Sequence, residues 1–542
     1  MRHGGQILVD QLKIQGVKRV FCVPGESYLA ALDGLYESGI ETIIGRQEGG
    51  VAMMAEAHGK LTSKPGVAFV TRGPGATNAS AGVHIALQDS TPMLLFVGQV
   101  ASDQRDREAF QEVEYLQMFG PLAKWVAEID RTDRIPEYVS RAFHIAVSGR
   151  PGPVVLALPE DMLSAKAEVK DAKPSRPAKQ MVSYETVSEV IDRLKIAQDP
   201  FVIVGGGGWC QEAADHLGRF ASALGLPVGA SFRCQDYLDN RHPNYVGDVG
   251  IAPNPDLAER VKKSDCVLVL GARLGEMTTS GYSLFDIPNP NQSIIHIHAD
   301  PDEIGRVYRP QIGLACKASD FVTIAAELTE GIEQKPPVVA KESYQKWQMP
   351  STTPGDVKLE EVICHLREVL PEDAIITNGA GNYAGWLHRY YSYKSYGTQL
   401  APTSGSMGYG LPAAVAAKLE HPEREVICLA GDGCFQMTMQ EFGTARQYGL
   451  KVIVIIVNNG IYGTIRMHQQ REYPGRPSGT KMVNPDFSAF AASYGCAGET
   501  ITKTEDFALA LASARKAKTA TLIELRTDPS AVTPRTPAFR IT

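Results

Sequence analysis

The sequence predicts three α/β domains, each built on an open, mostly parallel β-sheet flanked by helices. Its 542 residues correspond to about three domains at roughly 100–200 residues each. Short apolar runs that do not alternate with polar residues recur between helical stretches, which is typical of parallel strands covered on both faces. Two segments that contain Pro and several charges, 165–180 and 333–349, divide the chain. We therefore expect domains at 1–165, 181–332 and 350–542.

Apolar runs mark the predicted strands of each domain, and an amphipathic stretch at Gln6–Gln15 precedes the first of them. In chain order the runs are Val20–Val23, Val67–Thr71, Met93–Val97, Val154–Ala157, Phe201–Val204, Cys266–Leu270, Ile294–His298, Ala374–Thr377, Val426–Ala430, Val452–Val457 and Thr521–Leu525. Open parallel sheets bind ligands beyond the carboxyl ends of their strands. The residues that follow these runs are therefore the first candidates for a functional site.

Composition excludes several classes of protein. Hydrophobic residues make up 44% and charged residues 21%, which excludes a disordered chain. The net charge is −7 and the basic residues form no dense run, which argues against a nucleic-acid partner. The longest apolar runs fall far short of the roughly 20 residues of a membrane helix, and no signal peptide is recognised. Nine scattered cysteines indicate reduced thiols, so we expect a cytoplasmic protein without a membrane partner.

The strongest chemical signal lies after two strands of the third domain. Val426–Ala430 runs into Gly431-Asp432-Gly433, and Val452–Val457 runs into Asn458-Asn459. A strand, a helix and a second strand between them would place Asp432 and Asn459 at one edge of the sheet. Their carboxylate and amide oxygens suit Mg²⁺ or Ca²⁺. The glycines let backbone N–H groups approach phosphate oxygens, and the following helix N-terminus favours anions.

With this pairing the chain resembles the thiamine-diphosphate enzymes of the acetolactate synthase type, over nearly its whole length. The resemblance implies a pyrimidine-binding first domain, a nucleotide-binding-like central domain and a diphosphate-binding third domain. It implies that Mg²⁺ anchors thiamine diphosphate through the side chains of Asp432 and Asn459 and the backbone carbonyl of Ile461. The other cofactor-binding residues that it implies are Gly381, Asn382, Gly431, Gly433, Cys434 and Tyr462, together with Asn459.

A carboxylate of the first domain gains a role from the same resemblance. By position alone, Glu48 is an acid that stabilises a helix N-terminus. The resemblance implies instead that it bonds the pyrimidine N1′ and drives the imino tautomer, so that the cofactor's own amino group can take the C2 proton. Gln47 stands where the family usually has His. The resemblance also implies that the Gly405 carbonyl accepts a bond from the 4′-amino group and that Met407 wedges between the two rings, the alternative being a plain core methionine.

On the substrate side, the resemblance implies that Phe110 and Gln111 point toward the reacting centre. Lys124 falls near the family's substrate channel, although a solvated surface lysine is an equal alternative. His468 stands where the synthases carry a tryptophan. The first expectation is therefore decarboxylation of a 2-keto acid with carboligation, on keto acid or aldehyde substrates. The alternatives are a lyase or decarboxylase of 2-hydroxy ketones or aromatic 2-keto acids, of the benzaldehyde lyase or benzoylformate decarboxylase type, and a non-catalytic nucleotide-binding regulatory protein.

The middle domain leaves its ligand open. In acetolactate synthases it binds FAD, and here Gly205–Gly208 follows a strand as a nucleotide-contacting loop would, while Arg273 and Asp300 follow two others. The family's other contact segments are replaced, for example by Gly247–Ala252. FAD, an adenine nucleotide and a purely structural domain are the three alternatives. The resemblance further implies a homodimer or homotetramer with the cofactor between chains.

Overall fold

The computed structural model describes residues 1–535, and its strands form three parallel sheets. Within these residues each of the three sheets has six strands, and all adjacent strands in them are parallel. The predicted fold class is therefore confirmed. In the described part of the chain, no helix is long and apolar enough to cross a membrane.

The first sheet has the strand order β3-β2-β4-β5-β7-β6, and β1 and β8 form a small antiparallel pair. Helices α3 and α4 lie against each other, and the buried part of α3 runs without interruption from Gly49 to Ala57. The elements of this region are β1 Arg2–His3, α1 Gly4–Ile14, β2 Arg19–Cys22, α2 Leu29–Leu35, β3 Glu41–Ile44, α3 Glu48–Thr62, β4 Gly66–Val70, α4 Pro74–Asp89, β5 Met93–Gln99, α5 Tyr115–Phe119, β6 Trp125–Glu128, α6 Ile135–Val147, β7 Pro153–Pro159, α7 Glu160–Ser164 and β8 Lys166–Ala167.

The middle sheet has the order β11-β10-β9-β12-β13-β14, with an apolar cluster on each of its faces. Its elements are α8 Tyr184–Ile196, β9 Pro200–Val204, α9 Gln211–Leu224, β10 Val228–Ala230, β11 Tyr245–Asp248, α10 Pro255–Lys263, β12 Cys266–Leu270, β13 Ser293–Ile297, β14 Ile312–Leu314 and α11 Ala318–Leu328. The segment 333–349, expected as a linker, contains a helix, α12 Val338–Trp347. This helix is anchored because Lys341 Nζ donates to the backbone carbonyls of Asn240, His242 and Tyr245.

The last sheet has the order β16-β15-β17-β18-β20-β19. Its central strands β17 and β18 are aligned so that Gly431 pairs with Val457, and both strands end at the same edge. The elements are α13 Leu359–Val369, β15 Ile375–Asn378, α14 Ala384–Tyr390, β16 Gln399–Leu400, α15 Gly410–Glu420, β17 Val426–Gly431, α16 Asp432–Gln436, α17 Glu441–Gln447, β18 Val452–Asn458, α18 Gly463–Glu472, α19 Phe487–Ser493, β19 Ala497–Ile501, α20 Phe507–Lys516 and β20 Thr521–Arg526.

The described chain divides into two compact units. The first contains Met1–Lys179, Pro402–Pro422 and Thr438–Leu450, so helices α15 and α17 belong with the first sheet. The second contains the other described residues, with the middle and last sheets. The predicted ranges of the three domains stay a prediction.

Candidate active site

Glu48 is the first residue of α3, and its position follows from the turn before that helix. The Gln47 side chain caps the helix by accepting a hydrogen bond from the Gly50 N–H at 3.0 Å. The half-buried Glu48 carboxylate accepts a hydrogen bond at Oε2 from Asn78 Nδ2 of α4, at 3.0 Å. A Cβ atom at Gly75 would lie 3.3 Å from Glu48 Oε1, so this glycine keeps space beside the carboxylate.

A second carboxylate, Glu441 at the start of α17, holds the turn that leads into α3. It is fully buried and accepts hydrogen bonds from the backbone N–H groups of Arg46 and Gln47, each at 3.0 Å, and from the Thr444 hydroxyl at 2.7 Å. Burial raises the pKa of Glu441. The sequence does not reveal this residue, because Arg46 lies 395 positions away along the chain and no local pattern marks the pairing.

Gly405 and Met407 lie on the segment before α15, in the same compact unit as Glu48. Gly405 is exposed and has a φ of +71°, a left-handed conformation that favours glycine. Met407 is half-buried, whereas a methionine that only filled the core would be fully buried. This exposure is compatible with contact between Met407 and a ligand.

Phe110 and Gln111 belong to a loop that lies against the N-terminus of α4. The Phe110 side chain is 72% exposed. Gln111 has a φ of +65°, and a Cβ atom at Gly73 would lie 2.8 Å from Gln111 Cβ. The Gly73 N–H donates to the Tyr115 hydroxyl at 2.8 Å. The loop is therefore held close to the turn between β4 and α4, at the carboxyl edge of the first sheet.

Lys124 has a structural role in this unit. Its ammonium group donates to the backbone carbonyls of Ile145, Ser148 and Arg150, at 2.6 to 2.7 Å. Three carbonyl acceptors match the three donors of an ammonium group. Neither expectation for Lys124, a channel residue or a solvated surface lysine, describes this environment.

In the second unit, Asp432 follows the last residue of β17. Its Oδ1 accepts from the Gly433 N–H at 2.9 Å, and its Oδ2 accepts from the Gly460 N–H at 2.8 Å and from Asn484 Nδ2 at 2.7 Å. The residue is 3% exposed, and burial raises the pKa of its carboxyl group. These donors are all neutral, so the described residues give this buried carboxylate no cationic partner within hydrogen-bond distance.

Asn459 and Ile461 lie beyond the end of β18, at the same sheet edge as Asp432. Asn459 Oδ1 accepts from the Ile461 N–H at 3.2 Å, which closes a tight turn. The neighbouring Asn458 bonds on both sides: its Nδ2 donates to the buried Glu524 of β20 at 2.6 Å, and its Oδ1 accepts from the Gly460 N–H at 3.2 Å and from Asn484 Nδ2 at 2.8 Å. The strand register thus brings Asp432 and Asn459 to one edge of the sheet, as the spacing predicted.

Asn484 is a residue of this site that the sequence does not reveal. Its Nδ2 donates to Asp432 Oδ2 at 2.7 Å and to Asn458 Oδ1 at 2.8 Å, and its Oδ1 accepts from Gln436 Nε2 at 2.9 Å. The amide therefore fixes the orientation of the Asp432 carboxylate. No sequence signal identifies Asn484, because it lies in a segment without regular secondary structure.

Tyr383 connects the two predicted diphosphate-binding loops. Its ring lies where a Cβ atom at Gly381 or Gly431 would be, at 2.8 and 2.9 Å respectively. Its hydroxyl accepts from the Gly379 N–H at 3.1 Å and donates to Cys434 Sγ at 3.2 Å. The glycines at 381 and 431 are therefore required for packing as well as for any approach of a phosphate to the backbone.

The remaining predicted residues of this unit lie around α18. The Asn382 N–H donates to Thr464 Oγ1, and the Thr464 hydroxyl donates to Asn382 Oδ1, both at 3.0 Å. The Tyr462 ring lies against Gly433, where a Cβ atom would be 2.8 Å away. None of the side chains of α18, including that of His468, is fully buried.

The oxygen atoms at this edge fit a divalent metal ion. The described residues contain no group of three or more His, Cys, Asp or Glu side chains arranged to hold a metal. A metal at Asp432 would therefore need amide and carbonyl oxygens, which Asn459 and Ile461 can supply. This set of hard oxygen donors suits Mg²⁺, which commonly binds through one or two carboxylates together with phosphate oxygens.

The glycine run after β9 is largely accounted for by packing. The Gly205 carbonyl accepts from Trp209 Nε1 at 3.0 Å, and the Gly206 carbonyl accepts from the Tyr237 hydroxyl at 2.5 Å. A Cβ atom at Gly206 would lie 1.9 Å from the Gly271 carbonyl oxygen. These contacts require small residues at this turn, so the run itself carries no argument for FAD.

Comparisons with known proteins agree with this geometry. Residues 2–118, 187–324 and 379–525 match the N-terminal TPP binding, central and C-terminal TPP binding domains of thiamine pyrophosphate enzymes. The acetolactate synthase large subunit of Haemophilus influenzae is 31% identical over 93% of this chain and 90% of its own. That of Parasynechococcus marenigrum is 32% identical over 96% and 87%, and a probable large subunit of Methanocaldococcus jannaschii is 30% identical over 98% and 93%. The chain therefore belongs to the family of thiamine pyrophosphate (thiamine diphosphate) enzymes.

Proposed function

We propose that this chain is a Mg²⁺-dependent and thiamine-diphosphate-dependent carboligase. It decarboxylates a 2-keto acid and joins the remaining acyl carbon to a second carbonyl compound. The observation that carries the proposal is the Asp432 site, a buried carboxylate with neutral hydrogen-bond donors beside the Asn459 amide at a sheet edge. A divalent cation bound there would offset the cost of the buried charge and hold a diphosphate. Similarity to acetolactate synthase large subunits supports the reaction class.

Each predicted residue has a specific task in this proposal. When bound, thiamine diphosphate supplies a nucleophilic thiazolium carbon and an electron sink for loss of carbon dioxide. Asp432, Asn459 and the Ile461 carbonyl would hold the metal. Glu48 would share a proton with the pyrimidine N1′ through its carboxylate. The Gly405 carbonyl would accept a hydrogen bond from the amino group.

The other residues of the proposal bind and shield the reactants. Met407 would fill the space between the rings. Gln111 can both donate and accept a hydrogen bond, so it would orient a substrate carbonyl without adding charge. The exposed Phe110 would exclude water beside it. Contacts to the diphosphate would come from Gly381, Asn382, Gly431, Gly433, Cys434 and Tyr462.

Substrate screening tests the proposal. The purified protein is loaded with thiamine diphosphate and Mg²⁺ and given pyruvate, benzoylformate, oxaloacetate or acetoin, while carbon dioxide and coupled products are followed. We expect carbon dioxide release together with a coupled hydroxy-keto product. Decarboxylation without coupling, or cleavage of acetoin alone, would replace the carboligase by a decarboxylase or a lyase. Absence of turnover with every keto acid and hydroxy ketone would reject the proposed reaction.

The assembly and the location belong to the same proposal. We propose a homodimer or homotetramer in which each cofactor lies between two chains. A cytoplasmic location is supported by the cysteines, since none of the nine forms a disulfide in the described residues. We propose no flavin cofactor for this chain. Flavin bands in the absorption spectrum of the purified protein would contradict this part of the proposal.

A further inference from the structure

Two buried carboxylates and a partly buried lysine form a cluster in the first unit, which we name the ionic clamp: Glu56 and Lys60 of α3, and Asp89 at the end of α4. Glu56 is 0% exposed, and the side chain of Asp89 is also fully covered. Lys60 Nζ lies 3.6 Å from Glu56 Oε1 and bonds to Asp89 Oδ2. The Thr91 hydroxyl donates to Glu56 Oε1 at 2.7 Å. Both carboxylates are therefore paired.

The ionic clamp is bonded to both ends of one short segment, Thr403 to Tyr409. At one end, Asp89 Oδ1 accepts the Thr403 N–H at 2.8 Å and also the Thr403 hydroxyl. At the other end, the Tyr409 hydroxyl donates to Glu56 Oε2 at 2.5 Å. The Thr438 hydroxyl donates to the Gly408 carbonyl at 2.6 Å, which fixes the same end again.

Between these attachments the segment is exposed at one residue, Gly405. Gly405 is exposed, and a Cβ atom built on it would meet nothing within 4 Å. Met407 is half-buried, whereas Gly408 and Tyr409 are buried. The Ser404 hydroxyl is buried and has no hydrogen-bond partner in the described part of the chain. Four residues, 404–407, thus span two fixed ends, and Gly405 among them is exposed.

We propose that Glu56, Lys60 and Asp89 are positioning residues, which hold 404–407 in the conformation that presents the Gly405 carbonyl and Met407 to the cofactor. Paired buried charges contribute little net stability but can select one arrangement of the chain over others. The ligand role of Gly405 and Met407 rests on the proposed function. The attachment of the segment rests on the contacts above and can be tested without a cofactor.

Two single variants each remove one bond between the ionic clamp and the segment without removing a charge. Tyr409→Phe deletes the hydroxyl that reaches Glu56, and Thr403→Val deletes the hydroxyl that reaches Asp89. The matched controls are Tyr237→Phe, which loses a tyrosine hydroxyl bonded at 2.5 Å to the Gly206 carbonyl, and Thr132→Val, which loses a threonine hydroxyl bonded at 2.7 Å to the Met162 carbonyl. Two independent variants keep the test valid if one of them folds poorly.

The first measurement is hydrogen–deuterium exchange of the cofactor-free protein, followed on peptides that cover 402–410. Each variant should exchange about tenfold faster in this segment, because one of the two bonds that hold its end is lost. The controls should exchange there at the wild-type rate. Wild-type exchange in both variants would overturn the clamp, whatever the activity of the enzyme.

The second measurement is made on protein loaded with thiamine diphosphate and Mg²⁺. We expect kcat and the rate of C2 proton exchange of the bound cofactor to fall about tenfold in both variants, with KM and cofactor affinity changed less than about twofold. Faster amide exchange with unchanged kcat and C2 exchange would overturn the positioning role and leave a structural one. Failure of the wild type to bind the cofactor would contradict the proposed function instead, and the exchange measurement would still decide whether the clamp holds the segment.

Discussion

The environment of Asp432 shows how a single residue indicates a ligand. An ionised carboxylate that is 3% exposed needs compensation, and three neutral donors supply only part of it. Ile461, whose carbonyl would be a further oxygen ligand of the metal, lies beyond the end of β18 at the same sheet edge. Orientation of the carboxylate depends on Asn484, which donates to it at 2.7 Å.

We predict that Asn484→Ala weakens Mg²⁺ binding in the presence of thiamine diphosphate by about 10–100-fold, as is usual when a partner of a metal ligand is removed. Calorimetric titration with Mg²⁺ measures the change. The control is Asn291→Ala, which also removes an amide that donates to an aspartate at 2.7 Å, that of Asp286. Equal Mg²⁺ affinity in the Asn484 variant and the wild type would contradict the role of this amide.

A second prediction concerns Glu48. Glu48→Gln keeps the size of the side chain and an oxygen for Asn78 but cannot exchange a proton with N1′. We expect kcat to fall about 10²–10⁴-fold, the usual contribution of a positioned acid or base. Binding of Mg²⁺ and thiamine diphosphate should change little, because neither the Asp432 site nor its neighbours are altered. Glu137→Gln, in the first turn of α6, is the control, and undiminished turnover of the Glu48 variant would reject its role.

At the scale of elements, helix α17 supports α3 through one buried carboxylate. Glu441 holds two backbone N–H groups of the turn before Glu48. Removal of its side chain leaves those groups without an acceptor. We predict that Glu441→Ala lowers the free energy of unfolding by about 1–3 kcal/mol. The midpoint of urea unfolding measures this loss, and the exposed Glu137→Ala is the control.

Burial of Glu441 also predicts a pH dependence. Because its pKa is raised in the folded state, the folded protein binds this proton more tightly than the unfolded chain does. The stability from this group is therefore present at acidic pH and is lost as pH rises through the folded-state pKa. Glu441→Gln, which keeps an oxygen for the two N–H groups, should gain stability relative to the wild type as pH rises above about 4.5, the ordinary pKa of a glutamate. A constant difference between the two unfolding curves across this range would contradict the prediction.

The sequence predicted the inner strands of the sheets better than the edge strands. All eleven apolar runs that mark predicted strands overlap inner strands, because inner strands are covered on both faces and contain few polar residues. The strands β6, β11, β14, β16 and β19 were not predicted, and each of them lies at a sheet edge. The residues of β19, for example, are mostly exposed, so the strand lacks the apolar run by which the others were found. The short β10 was also missed.

At the scale of the whole molecule, the proposed assembly makes a prediction about mixtures of variants. Glu48→Gln and Asp432→Ala should each be nearly inactive alone. If each cofactor takes Glu48 from one chain and Asp432 from another, a mixed dimer has one site with both changes and one with neither. Co-expression of the two differently tagged variants and isolation of the mixed dimer should then restore about half of the wild-type activity. Activity no higher than that of the single variants would place both residues of a site on the same chain.

The sequence by itself determined the fold class, the strands around the site and the placement of Asp432 and Asn459 at one sheet edge. Those results depend on local periodicity and on the ends of neighbouring strands, which are properties of short stretches of chain. The family resemblance rested on the same short motifs.

Only the tertiary structure decided which groups support these residues. Three sets of contacts join positions far apart in the chain: those of Glu441 with the turn before Glu48, of Asn484 with Asp432, and of the ionic clamp with Thr403 and Tyr409. Such pairs have no spacing that a sequence pattern can detect. They form because a buried polar group must find a partner, and the folded backbone alone determines which partner is within reach.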